Sequence, residues 1–217
     1  MTSVARYLLA EYLNSRRWAA PFLLLVAGVV VIYAQPPNPV LETAGGAAAF
    51  LLLAQCWLAL SFLNSQPDDD RQILVATMGG RRFALGRVAG LSALALLASL
   101  LTLAYPWIAD RFQASPSAAE LGWVLVANLV CAGAGSAVAA LFARPAVRSR
   151  AVTVLAVTAC LVITVPLGLS PAPATANALD TTVASQVPGR FGATIVSVTA
   201  FVLVATFVSA LLWRYRE

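Results

Sequence analysis

The stretch AGGAAAFLLLAQCWLALSFL, Ala44–Leu63, is twenty residues long and carries no charge. About twenty apolar residues in a helix match the ~30 Å hydrocarbon core of a bilayer, so this run reads as a membrane span. The rest of the chain agrees with it. Of 217 residues, 60% are hydrophobic and 11% charged, and the mean hydropathy is +0.84. A soluble domain carries about 25% charged residues. A chain this apolar cannot cover a water-facing surface, and its length suits one bundle.

Similar runs lie on both sides of Ala44–Leu63. Trp18–Ala34 precedes it, with Trp18 and Tyr33 as interface aromatics. Gln35-Pro-Pro-Asn-Pro39 ends that run, because consecutive prolines cannot continue a helix. Arg87–Ile108, Leu121–Ala143, Ala151–Leu169 and Gly192–Trp213 follow. The expectation is an all-α polytopic membrane protein with a single transmembrane domain and six spans, at about 18–34, 44–63, 87–108, 121–143, 151–169 and 192–213. In residues 2–17, Val4, Tyr7, Leu8 and Tyr12 fall near helical spacing among Arg6, Glu11, Asn14 and Arg16. That pattern predicts an N-terminal amphipathic helix at the interface in preference to a solvated lead-in. No small-residue cleavage site follows the first apolar run, so a cleavable signal is not expected.

All 14 basic residues are Arg, and the net charge is +5. Twelve of the 14 fall in alternate loops: Arg6, Arg16 and Arg17; Arg71, Arg81, Arg82 and Arg87; Arg144, Arg148 and Arg150; Arg214 and Arg216. Only Arg111 and Arg190 fall on the other side. Basic loops stay in the cytoplasm, so both termini are expected there. The positive charge is thus a topology signal, and no nucleic-acid partner is implied.

There is no His, which removes the usual proton shuttle and the commonest metal ligand. Cys56, Cys131 and Cys160 lie far apart in apolar runs and suggest neither a metal site nor a disulfide. No carboxylate stands at the centre of a span, which argues against proton or sodium coupling. A P-loop needs Lys, and there is none. An enzyme is therefore not expected, and no bound cofactor. Gln55 and Asn128 are polar residues inside spans. They read either as the lining of a substrate path or as interhelical hydrogen-bonding groups. For Asn128, Ser92, Ser99 and Thr102 the second reading is favoured. Ala127-Asn-Leu-Val-Cys-Ala-Gly-Ala-Gly135-Ser-Ala137 has small residues four apart, which allow close helix approach within one chain or between two.

The loop Asn64-Ser-Gln-Pro-Asp-Asp-Asp-Arg-Gln-Ile-Leu-Val-Ala-Thr-Met-Gly-Gly-Arg-Arg-Phe83 carries helix signals of its own. Pro67 and Asp68, Asp69 and Asp70 favour a helix start. Ile73, Leu74, Ala76 and Thr77 make its body, and Gly79-Gly80 ends it. A short helix along the membrane, serving as a docking element, is expected over 67–82. Between Ser170 and Arg190, Asn177–Val187 reads equally as a short helix dipping toward the bilayer or as a disordered external loop.

The order of these pieces resembles the permeases of type-2 ABC exporters (the ABC-2 family). That family has an N-terminal amphipathic helix, six spans, cytoplasmic ends, a coupling helix between the second and third spans and a partly re-entrant segment before the sixth. The run Asp68-Asp-Asp-Arg-Gln-Ile-Leu-Val-Ala-Thr-Met-Gly-Gly-Arg-Arg82 looks like the family's coupling loop. The resemblance covers nearly the whole chain as architecture; no invariant signature is matched. It implies a transport subunit in a bacterial cell membrane. A separate ATPase subunit would supply ATP-Mg chemistry, and a second permease subunit, identical or not, would complete the unit. Asp68, Asp69, Asp70, Arg71, Ile73, Leu74, Gly79, Gly80, Arg81 and Arg82 would then contact the ATPase. The alternatives are a stand-alone carrier and a scaffold or immunity-type protein.

Overall fold

Lipid offers no hydrogen bonds, and a helix satisfies its backbone groups within one segment. The apolar runs fold accordingly. The computed structural model describes residues 2–34, 40–111, 116–143 and Leu179; among these are six helices and no strand. They are α1 Thr2–Asn14, α2 Ala19–Tyr33, α3 Val40–Leu63, α4 Asp68–Met78, α5 Gly80–Ile108 and α6 Ala118–Phe142. Three stretches, Thr43–Leu63, Gly80–Ile108 and Ala118–Phe142, are long and apolar enough to cross a membrane. The spans expected at 151–169 and 192–213 lie outside the described residues. So do Arg144, Arg148, Arg150, Arg190, Arg214, Arg216 and, apart from Leu179, the segment 170–190. Leu179 itself is helical, fully buried and part of the cluster that α3 and α6 share.

Several boundaries differ from expectation. The expected first span appears as α2, whose 15 residues extend only about 22 Å, short of the hydrocarbon core. It meets α1 at 83°, and only the two together have the length and hydropathy of a crossing, as a broken span or a re-entrant loop. α5 starts at Gly80 and not at Arg87, so Arg81, Arg82 and Arg87 stand on the helix itself. α6 starts at Ala118, where Ser117 and Glu120 form a capping box. Ser117 Oγ accepts from the Glu120 amide at 3.2 Å, and Glu120 Oε2 accepts from the Ser117 amide at 2.7 Å. Two donors at the helix start are thereby satisfied.

The bend between α1 and α2 is built locally. Arg16 takes a left-handed backbone, φ 54°, which an L residue adopts at a cost. The carbonyls freed where α1 ends are met by side chains just beyond it. Ser15 Oγ donates to the Tyr12 carbonyl at 2.7 Å, and Trp18 Nε1 to the Leu13 carbonyl at 2.9 Å.

α3 is the centre of the packing. It touches α2, α5 and α6, and α6 most extensively. Ala127, Cys131, Ala134 and Gly135 of α6 are fully buried in that contact with Ala48, Leu52 and Cys56 of α3. The small-residue approach anticipated from Ala127–Ala137 therefore takes place within the chain. A second cluster joins Leu25 and Val29 of α2 to Leu51 and Ala54 of α3 and to Ala95 and Ala98 of α5. α5 is the least buried of the three candidate spans. Its apolar window is 33% buried, against 61% for α3 and 56% for α6. Leu96, Leu97, Leu100 and Leu101 are exposed along it, a face suited to lipid.

Candidate functional site

The residues 64–83 fold as a turn, a helix and a one-residue break. Gly79, at φ 85°, ends α4, and its amide donates to the Val75 carbonyl at 2.9 Å. Only glycine takes that backbone without strain. Gly80, expected to end α4 together with Gly79, is instead the first residue of α5.

α4 has two faces set by the 3.6-residue repeat. Leu74, Val75 and Met78 are half-buried. They pack on a cluster made by Val4, Leu8 and Tyr12 of α1, Leu58 and Phe62 of α3 and Phe83 of α5. The other face is exposed and carries Asp69, Asp70, Gln72, Ile73, Ala76 and Thr77. Ile73 is 61% exposed, the most open apolar side chain of the helix. Of the residues singled out in the sequence, Asp69, Asp70, Ile73, Gly79, Arg81 and Arg82 are exposed at this corner, and Arg71 is half-buried. Asp68 opens the helix. Leu74 turns inward and anchors α4. The exposed surface thus has an acidic end at Asp69 and Asp70 and a basic end at Arg81 and Arg82, separated by a helix roughly 16 Å long.

The corner is fastened by contacts that a hydropathy pattern does not show. The last carbonyls of a helix carry partial negative charge and favour cations. In the turn just past α3, Arg17 Nη1 donates to the carbonyls of Asn64 and Ser65 at 3.1 and 3.2 Å. Arg87 Nη2 donates to the Leu63 carbonyl at 3.1 Å. The Arg87 guanidinium also lies 5.8 Å from the centroid of the Phe83 ring, within cation–π range. The Tyr12 hydroxyl hydrogen-bonds Ser61 Oγ, and Gln66 Nε2 donates to Glu11 Oε2 at 3.0 Å. α1 and α5 therefore both grip the end of α3 from which α4 departs. Gly86 and Gly90 let α5 come close: a Cβ at Gly86 would lie 2.6 Å from Val4 Cγ1, and one at Gly90 2.6 Å from Phe62 Cζ.

Replacing Arg87 with Leu is expected to lower thermal stability in detergent by about 1–2 kcal/mol, since a half-buried charged hydrogen bond is lost. Arg17→Gln, whose bonds are exposed, is expected to lose less than about 1 kcal/mol. A larger loss for Arg17→Gln in thermal unfolding would contradict this ordering.

Gln55 and Asn128 are both fully buried. Gln55 Nε2 donates to Ser136 Oγ at 3.1 Å across α3 and α6. Asn128 Nδ2 reaches the Ser99 carbonyl on α5 at 3.5 Å. Gln55 Oε1, Asn128 Oδ1 and Ser99 Oγ have no partner among the described residues. Thr102 Oγ1 donates to the Ala98 carbonyl at 2.9 Å. Gln55 thus joins α3 to α6, and Asn128 joins α6 to α5. Gln55→Met removes one bond and one orphaned acceptor together. The stability change is expected to stay within about 1 kcal/mol, and a larger loss on thermal unfolding would show that Gln55 does more than join two helices.

The Arg17 and Tyr12 fastenings connect residues more than forty positions apart and the Arg87 bond residues 24 apart, so no local signal announces them. Two other features do have local signals: Gly86-Arg-Val-Ala-Gly90 is a small-xxx-small repeat, and Ser117-Ala-Ala-Glu120 is a capping-box pattern. No protein-family model matches the chain, and neither a characterised protein nor a solved structure matches it significantly.

Proposed function

We propose that this chain is the membrane subunit of an ATP-driven exporter of the type-2 ABC permease kind, energised by a separate ATPase. One observation carries the proposal. A short helix between two candidate spans presents an exposed face, while its inner face is fastened to α1, α3 and α5. A push on Ile73 and its neighbours would be passed to three helices at once. A slack loop would absorb it. The absence of carboxylates at the centres of the spans adds support, because it leaves no evident means of ion coupling.

In this proposal six spans cross a bacterial cell membrane with both termini in the cytoplasm, and α1 lies along the cytoplasmic interface. A second permease subunit pairs with this one, and each α4 enters a groove of an ATPase. The arginine bias toward one set of loops supports that orientation. The test is copurification. The chain, expressed with an ATPase encoded beside it, should retain that ATPase through detergent extraction. Its ATP hydrolysis should then respond to the permease. If no Walker-A protein is retained and hydrolysis is unaffected, the proposal fails.

A further inference from the structure

The two sides of α1 meet different surroundings. Val4, Leu8 and Tyr12 are buried against α3 and α5. On the opposite side Arg6, Tyr7, Ala10, Leu13 and Asn14 recur at helical spacing and are exposed. Tyr7 is 50% and Leu13 53% exposed, too apolar for a face meant for water alone. Charge is sorted as well: Glu11 is engaged by Gln66, while the exposed charges of the stripe and of the turn after it are arginines. Arg16 stands in that turn, exposed, with φ 54°. Glycine or asparagine is the usual choice for such a backbone, and a long cation there bears strain. The 83° bend lays α1 nearly along the membrane plane when α2 stands upright in it.

We propose that this stripe is a binding surface for anionic phospholipid. Arg6 and Arg16 pair with headgroup phosphates, while Tyr7 and Leu13 sit at the level of the glycerol backbone. The combination selects the occupant. Cations at both ends of an apolar, aromatic-bearing stripe complement an anionic bilayer surface. A free phosphate ion would have no use for Tyr7 and Leu13. The inference goes beyond the transport proposal and does not depend on it, since it needs only a membrane.

The test uses the full chain in nanodiscs of phosphatidylcholine with a minor share of phosphatidylglycerol, and measures the lipid retained by native mass spectrometry. Phosphatidylglycerol should be enriched over its bulk share. Arg6→Gln and Arg16→Gly should each lower that enrichment about fivefold. Arg16→Lys should keep it. Arg16→Gly separates a lipid role from a structural one: glycine accepts φ 54° freely, so thermal stability should hold or rise while selectivity falls. In Tyr7→Trp, the new indole should be quenched by lipids brominated near the headgroup, and added inorganic phosphate should leave the quenching unchanged. Retention of phosphatidylglycerol at no more than its bulk share, unaltered enrichment in the Arg6→Gln/Arg16→Gly double variant, or an unquenched indole would each overturn the proposal.

Discussion

Gly135→Leu is expected to leave no folded bundle, read as loss of the monodisperse peak when the detergent-solubilised protein is run on a sizing column. A Cβ built on Gly135 would lie 2.5 Å from the Leu52 carbonyl oxygen and 3.0 Å from the Cys56 amide nitrogen. Those atoms belong to the backbone of α3 and cannot rotate aside as a side chain would. The two helices would have to separate, and their contact is the largest in the described fold. Overpacking a core by a few carbons typically costs 1–3 kcal/mol. A leucine driven into a helix backbone is expected to exceed about 3 kcal/mol, enough to disrupt a marginal membrane bundle. Gly133 is the control, because a Cβ there would meet nothing within 4 Å. Gly133→Ala should fold normally and gain slightly from helix propensity. A well-behaved Gly135→Leu protein would show that α3 and α6 do not meet backbone to backbone.

The helical class and the cores of α3, α5 and α6 were legible because hydropathy reports directly on the membrane solvent. Helix ends were less so. Hydropathy marks where lipid stops, whereas a helix continues as long as its backbone bonds are made. α5 therefore reaches back through Arg87 and Arg82 to Gly80, where Gly79 breaks the chain. The same distinction explains α2. Its bounds followed from the apolar run and the prolines after it, but nothing in that composition says that the helix bends sharply into α1.

At the corner formed by α4, composition gave the two charged ends but not which apolar residue faces where. Ile73 and Leu74 are adjacent and similar, yet one is exposed and the other anchors α4. Their difference is set by the cluster under α4, which draws residues from α1, α3 and α5. Arg17 and Arg87 carried a topology signal in the sequence. The fold gives them a second task, Arg87 as a cation on the last carbonyl of α3 and Arg17 on the carbonyls of the turn just after it. Both tasks require only that the charge lie at the membrane edge, so a count of arginines per loop cannot separate them.

Reversal of the three acidic residues, Asp68→Arg with Asp69→Arg and Asp70→Arg, is expected to abolish retention of the partner ATPase and with it transport, while membrane insertion and thermal stability stay near wild type. Asp69 and Asp70 are exposed and lie on the face of α4 turned away from the bundle. The anchoring residues Leu74, Val75 and Met78 are untouched, so α4 has reason to remain where it is. Three cations at a helix N-terminus are unfavourable by about 0.3–1 kcal/mol each, a loss the fastened corner can absorb. At an interface the balance differs, since like charges brought together oppose association by several kcal/mol. Loss of binding should therefore outrun any loss of stability, and that ratio is the diagnostic. Leu74→Pro should do the converse. It breaks α4 and removes an anchor, so binding and local order should fail together. Ile73→Arg offers a milder probe of the exposed face, with binding reduced and the fold intact. If the triple reversal leaves the ATPase bound and transport running, α4 is not where outside energy enters, and the separate-ATPase proposal loses its supporting contact.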